Sequence, residues 1–460
     1  MNALLAAALA AHLASGASSS AQDPAAQDAD QAPDQTIIVT GTRFSGLRAT
    51  DSPEPVQVVT SDALRTAGPP SLGEALSTLV PSFNTQAVGN DLANETLAAR
   101  LRGVSPNHTL VLINGKRRHG TANLSVLSSA FQGGAAPDLN FIPVASIKRV
   151  EVLLDGAAAQ YGSDAIAGVI NIILNDSNSG GWGEIHAGQY QQGDGETIGP
   201  SGNLGTPLGG KGFLNVSAET RFHDYSNAGG PDARVERAIA SGEHPEWMNL
   251  EDYPLVNKVF GDARYTEHTF SANLNYSLRG GAEAYAFGTY GRKNAGGWAN
   301  FRLPTRLPEL YPDGFTPIDR LKSSDVSGTI GVRGDLAGWR WDLSTTYGRN
   351  NNRVEVTNSA NIDLFNDTGS TPTDFYNGRF KASELTTNRA RRPAAAEQHD
   401  RAGFGRRAST EQLRAAAGRC GVPLQGRIAI LSGVRANGRG SAQPDQRCGL
   451  CGRQPGARTW

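Results

Sequence analysis

Two apolar runs within residues 148–174 constrain the fold more than any other part of the chain. Val150–Leu154 and Val169–Leu174 have the length and the residue types of strands that are buried on both faces. The sequence between them is rich in small residues and turn signals, which favours a compact packing module over a catalytic loop. Glycine recurs every six residues, at Gly156, Gly162 and Gly168, where it suits tight turns and close backbone approach.

The composition limits how such a chain could enter a membrane. The 460 residues carry a net charge of −1 and have a mean hydropathy of −0.38. After the N-terminus no apolar run reaches the roughly 18 residues that a spanning helix needs. A membrane protein of this composition would have to be a β-barrel, since a closed sheet satisfies its own backbone in lipid. The balanced charge offers no basic field for a nucleic-acid partner.

The first 50 residues predict an export signal and a linker. Leu4–Ala14 is a short apolar run followed by small residues, which is the pattern of a secretory signal peptide over residues 1–21. An alanine-rich tail is the alternative, because no basic residue precedes the apolar run. Residues 22–50 are rich in Ala, Asp, Gln and Pro and predict a flexible linker, which the β-branched segment Thr36–Thr40 interrupts.

Residues 51–175 predict a small α+β domain. Ser71 and Glu74 have the spacing of a capping box at the start of a helix over Leu72–Val80, which ends before a proline. A shorter helix is expected at Ala63–Thr66. The domain would therefore combine two helices with the buried strands described above.

A hairpin and a basic cluster lie in the middle of this domain. Asn114–Gly115 directly follows the apolar strand Leu110–Ile113, which is a strong hairpin signal. The cluster Lys116–His119 could suggest an anion site. It is short and has no interleaved aromatic residues, so we expect a solvated loop that faces a barrel lumen.

From residue 176 to residue 388 the pattern changes to two-residue alternation. Residues 214–222 and 270–278 place apolar side chains at every second position, with polar and charged side chains between them. Segments of about ten residues with aromatic ends favour a membrane barrel over a water-soluble sandwich, and about six to eight strands fit the interval. Polar positions would face a wet lumen and apolar positions would face lipid. We expect extracellular loops at Asn227–Phe260 and Ala295–Ser324.

A series of residues at fixed spacing connects the two apolar runs of residues 148–174. The series is Glu151, Val152, Gly156, Tyr161, Gly162, Ala165, Gly168, Val169, Ile170, Asn171 and Ile172. In this order it resembles the end of the plug domain of TonB-dependent outer-membrane receptors. Arg102–Gly103 and the Asn114–Gly115 turn are similar to a second fixed feature of that plug. An unrelated αβ module with glycine turns is the alternative.

The resemblance implies a fold class and a set of structural residues. It implies an α+β plug domain followed by antiparallel transmembrane β-barrel strands, in a family whose barrels have about 22 strands. Because residues 176–388 hold far fewer strands, the barrel is expected to be incomplete. The plug residues that the resemblance assigns to structure are Arg102, Gly103, Asn114, Gly115, Glu151, Gly156, Tyr161, Gly162, Gly168 and Asn171.

The N-terminal β-branched segment resembles the region at or beside the box that pairs with TonB, the energy-transducing periplasmic protein. Main-chain pairing would add this segment as a strand to a sheet edge of the partner. The alternative is a first plug strand that docks internally, and the two interpretations are not exclusive. The residues implied in TonB binding are Thr36, Ile37, Ile38, Val39 and Thr40.

The sequence offers no pattern for catalysis or for a metal site. Gly205–Gly212 nearly fits a phosphate-binding loop, but glycine follows Lys211 where a metal-binding hydroxyl is required. Cys448–Cys451 has C-x-x-C spacing without the four ligands of a zinc site. We therefore expect a protein that is not an enzyme, with no catalytic residues, no metal and no cofactor.

Residues 389–460 differ in character from the rest of the chain. They are rich in arginine, lack lysine and sustained alternation, and contain all three cysteines. This shift is typical of translation in a wrong reading frame, and a basic C-terminal module is the alternative. We expect a truncated or frameshifted copy whose partial barrel ends near residue 388.

By resemblance, the function is energy-coupled uptake of a scarce ligand across the cell outer membrane. The ligand would be a siderophore, a vitamin, a metal chelate or an oligosaccharide. The expected partners are TonB, outer-membrane lipid and this small molecule, with export directed by the signal peptide. The alternative is an exported, soluble plug-like binding module, or a fragment without transport activity.

Overall fold

The computed structural model describes residues 37–38, 47–48, 56–67, 71–85, 95–124, 133–154, 158, 161–257 and 259–393. The predicted signal peptide and most of the arginine-rich tail lie outside these residues. Of the predicted site residues, Thr36, Val39, Thr40 and Gly156 also lie outside them. Within the described ranges, none of the helices combines the length and the apolar character needed to cross a membrane.

A five-stranded mixed sheet forms the centre of the region that we call the plug, residues 56–175. The strands of the N-terminal part are β1 (Ile37–Ile38), β2 (Leu47–Arg48), β3 (Val56–Thr60), β4 (Phe83–Thr85), β5 (Ala99–Leu101), β6 (Thr109–Ile113), β7 (Lys116–Arg117), β8 (Ile147–Leu153) and β9 (Gly168–Leu174). The central sheet has the order β3–β8–β9–β6–β7, and its β6–β9 pair is parallel. β1 pairs with β2, and β4 pairs with β5, as separate two-stranded sheets.

The apolar runs explain why these strands are central. Every residue of β6 is buried, and every residue of β9 except Ile173 is buried. β8 begins at Ile147, earlier than the run that starts at Val150. Asn114 and Gly115 both have positive φ, 48° and 75°, and turn β6 into β7, which confirms the predicted hairpin.

Two helices cover this sheet, α1 (Ser61–Thr66) and α2 (Leu72–Leu79). The hydroxyl of Ser71 accepts a hydrogen bond from the amide of Glu74 at 3.2 Å, so the predicted N-cap of α2 is confirmed. α1 starts before the predicted Ala63 because Thr60 caps it. The helices bury a hydrophobic core whose members include Leu64, Leu72, Leu76, Phe83, Leu101, Leu139, Val150, Ile170 and Ile172.

Eight antiparallel strands follow the plug and form one sheet, which we call the strand wall. They are β10 (Gly181–Gly188), β11 (Thr197–Pro207), β12 (Gly212–His223), β13 (Arg264–Ser277), β14 (Glu283–Trp298), β15 (Ile318–Leu336), β16 (Trp339–Thr357) and β17 (Phe375–Pro393). In the described residues each strand pairs with its neighbours in sequence, and the sheet does not close. The last strand continues past the predicted boundary at residue 388.

The alternating pattern places its polar face against the plug. In β12 the side chains of Asn215, Ser217 and Glu219 are buried, and Glu219 accepts a hydrogen bond from the amide of Val144 at 2.9 Å. Apolar residues of the opposite face are exposed, as Ile330 shows. In β12, therefore, the plug covers the polar face that was expected to meet a wet lumen.

The connections between strands differ in length at the two ends of the strand wall. Short turns at 208–211, 278–282 and 337–338 alternate with longer connections at 189–196, 224–263, 299–317 and 358–374. The longer connections contain α3 (Ala233–Ala240) and α4 (Ile362–Thr368). The first predicted loop, Asn227–Phe260, lies within the connection 224–263, and the second is shorter than predicted because β14 and β15 extend into it; an extracellular position for either remains a prediction. We call this side the long-connection end.

Candidate functional site

A cavity of about 620 Å³ lies between the plug and the strand wall. On the plug side, its lining includes Glu74 of α2 and the segment Glu95–Leu97. On the strand side, it includes Tyr190 and Asp262, which belong to two of the longer connections. The cavity therefore lies toward the long-connection end, and we call it the plug–strand cavity.

Burial differs between the two sides of this cavity. Tyr190 is 45% exposed and the side chain of Asp262 is 43% exposed, whereas Glu95 is only 4% exposed. Lys293 of β14 also lines the cavity and is fully buried. The connection residues therefore form the mouth of the cavity, and Glu95 and Lys293 form its floor.

Three acidic side chains line the cavity, and their surroundings differ. Burial raises the pKa of Glu95 to about 8, and the nearby ammonium of Lys293 opposes this shift. Burial also raises the pKa of Glu74, although Arg221 and His223 act in the opposite direction. Asp262 has a lowered pKa, chiefly because of its interaction with His223. At neutral pH the mouth thus holds an ionised acid, while the floor holds a largely protonated one.

A polar cluster holds the mouth together. The hydroxyl of Tyr190 donates a hydrogen bond to Asp262 at 2.5 Å, and Nε2 of His223 lies 3.6 Å from the same carboxylate. Nδ1 of His223 lies 2.7 Å from the hydroxyl of Thr197. The ring of His223 stacks on Tyr265 at 5.2 Å between centroids. Three strand ends and two connections are joined by these contacts.

Buried ion pairs join the plug to the strand wall across what we call the seam. Nη2 of Arg118 donates to one oxygen of Asp325 in β15, and Nε2 of His119 lies 2.9 Å from the other oxygen. Asn350 of β16 donates to the same carboxylate at 3.0 Å. Arg118 and His119 are both buried. The predicted solvated loop at Lys116–His119 is therefore wrong, because partners on distant strands bury two of its residues.

Other charged side chains near the plug are also paired. The ammonium of Lys293 donates to Asp138 at 2.7 Å and to the backbone carbonyl of Glu95. Arg221 of β12 is paired with Glu219 on the same strand. Lys116 of the hairpin is paired with Asp342 of β16 at 2.9 Å. On the strand side, Lys293, Arg221 and Asp342 thus each have a partner of opposite sign.

The predicted plug residues fall into two groups, of which the first builds the β6–β7 hairpin and its surroundings. Asn114 accepts a hydrogen bond from the amide of Leu174, and Asn171 accepts one from the amide of Gly115. These side chains tie the hairpin to β9. Arg102 and Gly103 both have positive φ and turn the chain after β5.

The second group lies around β8 and β9. Glu151 is fully buried and is paired with Arg149 at 2.9 Å, and Tyr161 packs on a cluster that contains Leu153. Gly162 and Gly168 have φ of 89° and 140°. A Cβ atom at Gly168 would lie 2.5 Å from the carbonyl oxygen of Leu153. These residues stand away from the plug–strand cavity, and a structural role for them remains our prediction.

Of the predicted TonB-binding residues, Ile37 and Ile38 are described. They form β1, in which Ile37 is opposite Arg48 and Ile38 is opposite Leu47. This pair is separate from the central plug sheet. Within the described residues, the segment therefore pairs locally, which is compatible with later exchange of β2 for a partner strand.

Sequence reasoning missed the residues that line the cavity. Glu74 was singled out only as a capping residue, and Glu95, Tyr190, Asp262 and Lys293 were not singled out at all. They come from five separate segments, so no local spacing marks them. The one sequence signal that could have indicated a cavity residue was a charged residue on the polar face of a predicted strand, as with Lys293. In the described part of the chain, no group of three His, Cys, Asp or Glu side chains is arranged to hold a metal ion.

Known proteins are similar to parts of this chain. Residues 48–169 match the family model of the TonB-dependent receptor plug domain. The vitamin B12 transporter BtuB of Vibrio cholerae serotype O1 is 27% identical over 262 residues, which cover 55% of this chain and 39% of the relative. The transporter of the same name from Photobacterium profundum is 32% identical over 174 residues, 38% of this chain and 26% of the relative. The matched length is thus well under half of each curated relative.

A solved structure extends the likeness into the strand wall. A mutant of the ferric enterobactin receptor PfeA from Pseudomonas aeruginosa has a TM-score of 0.50 and 17% identity. The match covers 76% of this chain and 47% of that chain. At this identity the likeness concerns the fold alone: a plug followed by antiparallel strands.

Proposed function

We propose, from the premise that this chain is a TonB-dependent receptor with a plug and a partial barrel, that it captures a scarce ligand for energy-coupled uptake across an outer membrane. The observation that supports this most is the plug–strand cavity at the long-connection end. A ligand that arrives from that end meets the mouth residues Tyr190 and Asp262 before the plug. The chemistry required is non-covalent binding and release.

The buried contacts of the seam suggest why uptake would need energy supplied through TonB. The plug is held by buried contacts, among them the pair of Arg118 with Asp325 and the pair of Lys293 with Asp138. Breaking a buried pair by removing one partner costs about 3–5 kcal/mol. A plug held by such pairs would rearrange rarely without an external force. TonB, pulling on the N-terminal segment, would supply that force.

The N-terminal segment would transmit the force through its backbone. Strand addition uses main-chain hydrogen bonds, so an edge strand of TonB could replace β2 opposite Ile37–Ile38. The linker that precedes the plug would supply the reach. Of the predicted ligands, a vitamin is favoured by the names of the curated relatives, which are vitamin B12 transporters. Siderophores, metal chelates and oligosaccharides remain in the proposal.

Binding of TonB tests this function. The full chain in detergent would be titrated with the purified periplasmic domain of TonB. Ile38→Pro removes a backbone N–H that strand pairing needs and should weaken binding at least about tenfold. Ile38→Val keeps the backbone donor and should bind like the wild type. Equal binding by wild type and Ile38→Pro would show that the segment is not the contact.

A second candidate function is a plug-like binding module that acts in the periplasm without transport. The open strand wall favours it, since in the described residues β10 and β17 each pair along one edge only. An unpaired strand edge in lipid costs several kcal/mol for each unsatisfied backbone group. Recovery of the exported chain in the periplasm without detergent would support this module, whereas recovery in the outer-membrane fraction would support the receptor.

A further inference from the structure

We propose that the outward face of the strand wall binds the phosphate groups of an anionic membrane lipid near the long-connection end. The site is a cluster of exposed basic side chains on β14–β17, which we call the basic belt. It lies on the opposite face of the wall from the plug–strand cavity. The proposal rests on the proposed function, because that function puts this face in lipid. The members of the belt are Arg292, Lys322, Arg349, Arg353, Arg379 and Lys381.

Strand alternation and register bring the belt together. Lys322 lies on the opposite face of β15 from Asp325, which is buried against the plug. Lys322 is directly opposite Arg353 of β16, and Arg353 is directly opposite Arg379 of β17. Side chains at opposite positions have Cβ atoms about 4.5–5.5 Å apart. Three cations therefore form a row across three neighbouring strands.

The other three members lie in the two rows next to this one, toward the short turns. Arg292 of β14 is opposite Ser324 of β15, and Lys381 of β17 is opposite Asn351 of β16. Because Ser324 and Asn351 are opposite each other, Arg292 and Lys381 belong to the same row. Arg349 of β16 belongs to the following row. All six side chains of the belt are exposed.

The belt carries far more positive than negative charge. Among the described residues of β14–β17, Glu355 is the only acid on this face. Its carboxylate lies 3.0 Å from Nζ of Lys322 and 2.6 Å from Nη2 of Arg353, so two cations share it. Like charges at directly opposite positions destabilise a sheet. An anion supplied by a partner would relieve this repulsion.

Apolar side chains lie directly beside the belt, on the side toward the short turns. Val326 is opposite Arg349 on one side and Tyr290 on the other. Two residues farther along, Tyr347 is opposite Leu385, and these side chains are 45% and 69% exposed. A lipid would place its acyl chains on these residues while its headgroup contacts the belt. A soluble anion would gain nothing from the apolar rows.

Aromatic rings mark the border between the apolar rows and the belt. Nε of Arg292 donates to the hydroxyl of Tyr290 at 2.6 Å. The guanidinium of Arg353 lies 5.0 Å from the centre of the Tyr376 ring. Girdles of aromatic residues flank the apolar band of outer-membrane barrels at the lipid–water interface. The belt therefore lies at the depth of the lipid headgroups.

Phosphate is the headgroup chemistry that these side chains fit. Four of the six members are arginine, whose planar guanidinium binds a phosphate through two parallel N–H donors. Each basic residue near a membrane surface strengthens binding to anionic lipid by roughly fivefold. A zwitterionic lipid would leave the net charge of the belt uncompensated.

Native mass spectrometry of the full chain in detergent tests the proposal. The probe is diphosphoryl lipid A, and the bound lipid is counted as its concentration rises. One comparator is dephosphorylated lipid A, which keeps the acyl chains and lacks the charge. The other is a heparin oligosaccharide, a polyanion without acyl chains.

The belt variant removes three charges that form no ion pair within the described residues. It combines Arg349→Gln, Arg379→Gln and Lys381→Gln. The matched control removes three exposed charges outside the belt. It combines Lys211→Gln, Arg279→Gln and Arg306→Gln. A charge-keeping variant, Arg349→Lys with Arg379→Lys, decides the question if the belt variant does not fold, and circular dichroism checks the folding of each.

We expect the wild type and the control to bind lipid A equally, and the belt variant to bind it at least about tenfold more weakly. The charge-keeping variant should bind within about fivefold of the wild type, because the positive charges remain. The proposal is overturned if the wild type does not bind lipid A, or if the belt variant and the control lose equal affinity. It is also overturned if dephosphorylated lipid A or heparin binds as tightly as lipid A.

The same results separate the basic belt from the receptor function. A chain that does not bind lipid A, but binds TonB in a way that Ile38→Pro abolishes, would overturn the belt and leave the receptor function intact. Lipid A binding that the belt variant loses, in a chain that TonB does not recognise, would support the belt and contradict TonB-coupled uptake.

Discussion

Arg117 and Arg118 are neighbours in sequence with very different surroundings. The side chain of Arg118 is 1% exposed and donates to Thr289 and Asp325 on two strands of the wall. The side chain of Arg117 is 35% exposed and pairs with Asp164 within the plug. An exposed pair contributes little to stability, whereas a buried one is costly to break.

Arg118→Met should destabilise the folded chain by about 3 kcal/mol or more, because Asp325 would remain buried with only neutral or weakly basic partners. Arg117→Met should change the free energy of unfolding by less than about 1 kcal/mol. Urea titration of both variants, folded in lipid vesicles and followed by tryptophan fluorescence, measures the difference. Equal losses would mean that the seam pair does not hold the plug.

Glu95 should make stability fall as pH rises. Burial raises its pKa from 4.5 to about 8, so the folded state binds the proton more tightly than the unfolded state. This contribution is fully present below pH 4.5 and is lost as pH rises through about 8, with a slope of up to about 1.4 kcal/mol per pH unit. Thermal unfolding between pH 5 and pH 8 measures it. Glu95→Gln should flatten the profile, and an unchanged slope in that variant would contradict the assignment.

Single residues were predictable from sequence where their role is local. The Asn114–Gly115 turn and the Ser71 cap depend on neighbours a few positions away, and both are confirmed. The seam pairs depend on partners about 200 positions away, such as Asp325 for Arg118. From the sequence alone, the basic cluster Lys116–His119 therefore suggested a solvated loop, whereas the fold places acidic side chains such as Asp325 beside it.

Among the elements, the strands of the wall are defined by their alternation. Period two identifies a strand and its two faces, but it does not say what covers the polar face. In β12 the buried polar side chains contact the plug, as when Ser217 donates to the carbonyl of Ala145. The strand bounds were underestimated because alternation weakens at the ends, where β14 and β15 continue into the predicted loop.

Val326→Lys tests whether the apolar face of the wall meets lipid. Val326 lies near the middle of β15 and is 39% exposed; Leu336, at its end, is 72% exposed. In a bilayer, lysine at the middle of a strand costs about 2–4 kcal/mol, and near the interface about 0–1 kcal/mol. Val326→Lys should therefore fold into lipid vesicles less stably than Leu336→Lys in a urea titration. If both variants match the wild type, the face is in water and the periplasmic module is favoured.

At the scale of the whole molecule, the two ends of the strand wall are unequal. Short turns such as 208–211 lie at one end, and the connection 224–263, which contains α3, lies at the other. Outer-membrane barrels have short periplasmic turns and longer extracellular loops. By the same rule we expect the plug–strand cavity to face the outside, and the asymmetry itself was visible in the sequence as long polar insertions. The cavity itself was not, because many separate segments of the chain line it.

Labelling in intact cells tests this arrangement most directly. Cysteine would be introduced as Ser241→Cys in the long connection or as Lys211→Cys in a short turn, after replacement of the three native cysteines by serine. Both positions are exposed. With a membrane-impermeant maleimide, we predict that Ser241→Cys is labelled on whole cells and that Lys211→Cys is labelled only after the outer membrane is opened. Labelling of both or of neither on whole cells would contradict a wall that crosses the outer membrane with its cavity facing outward.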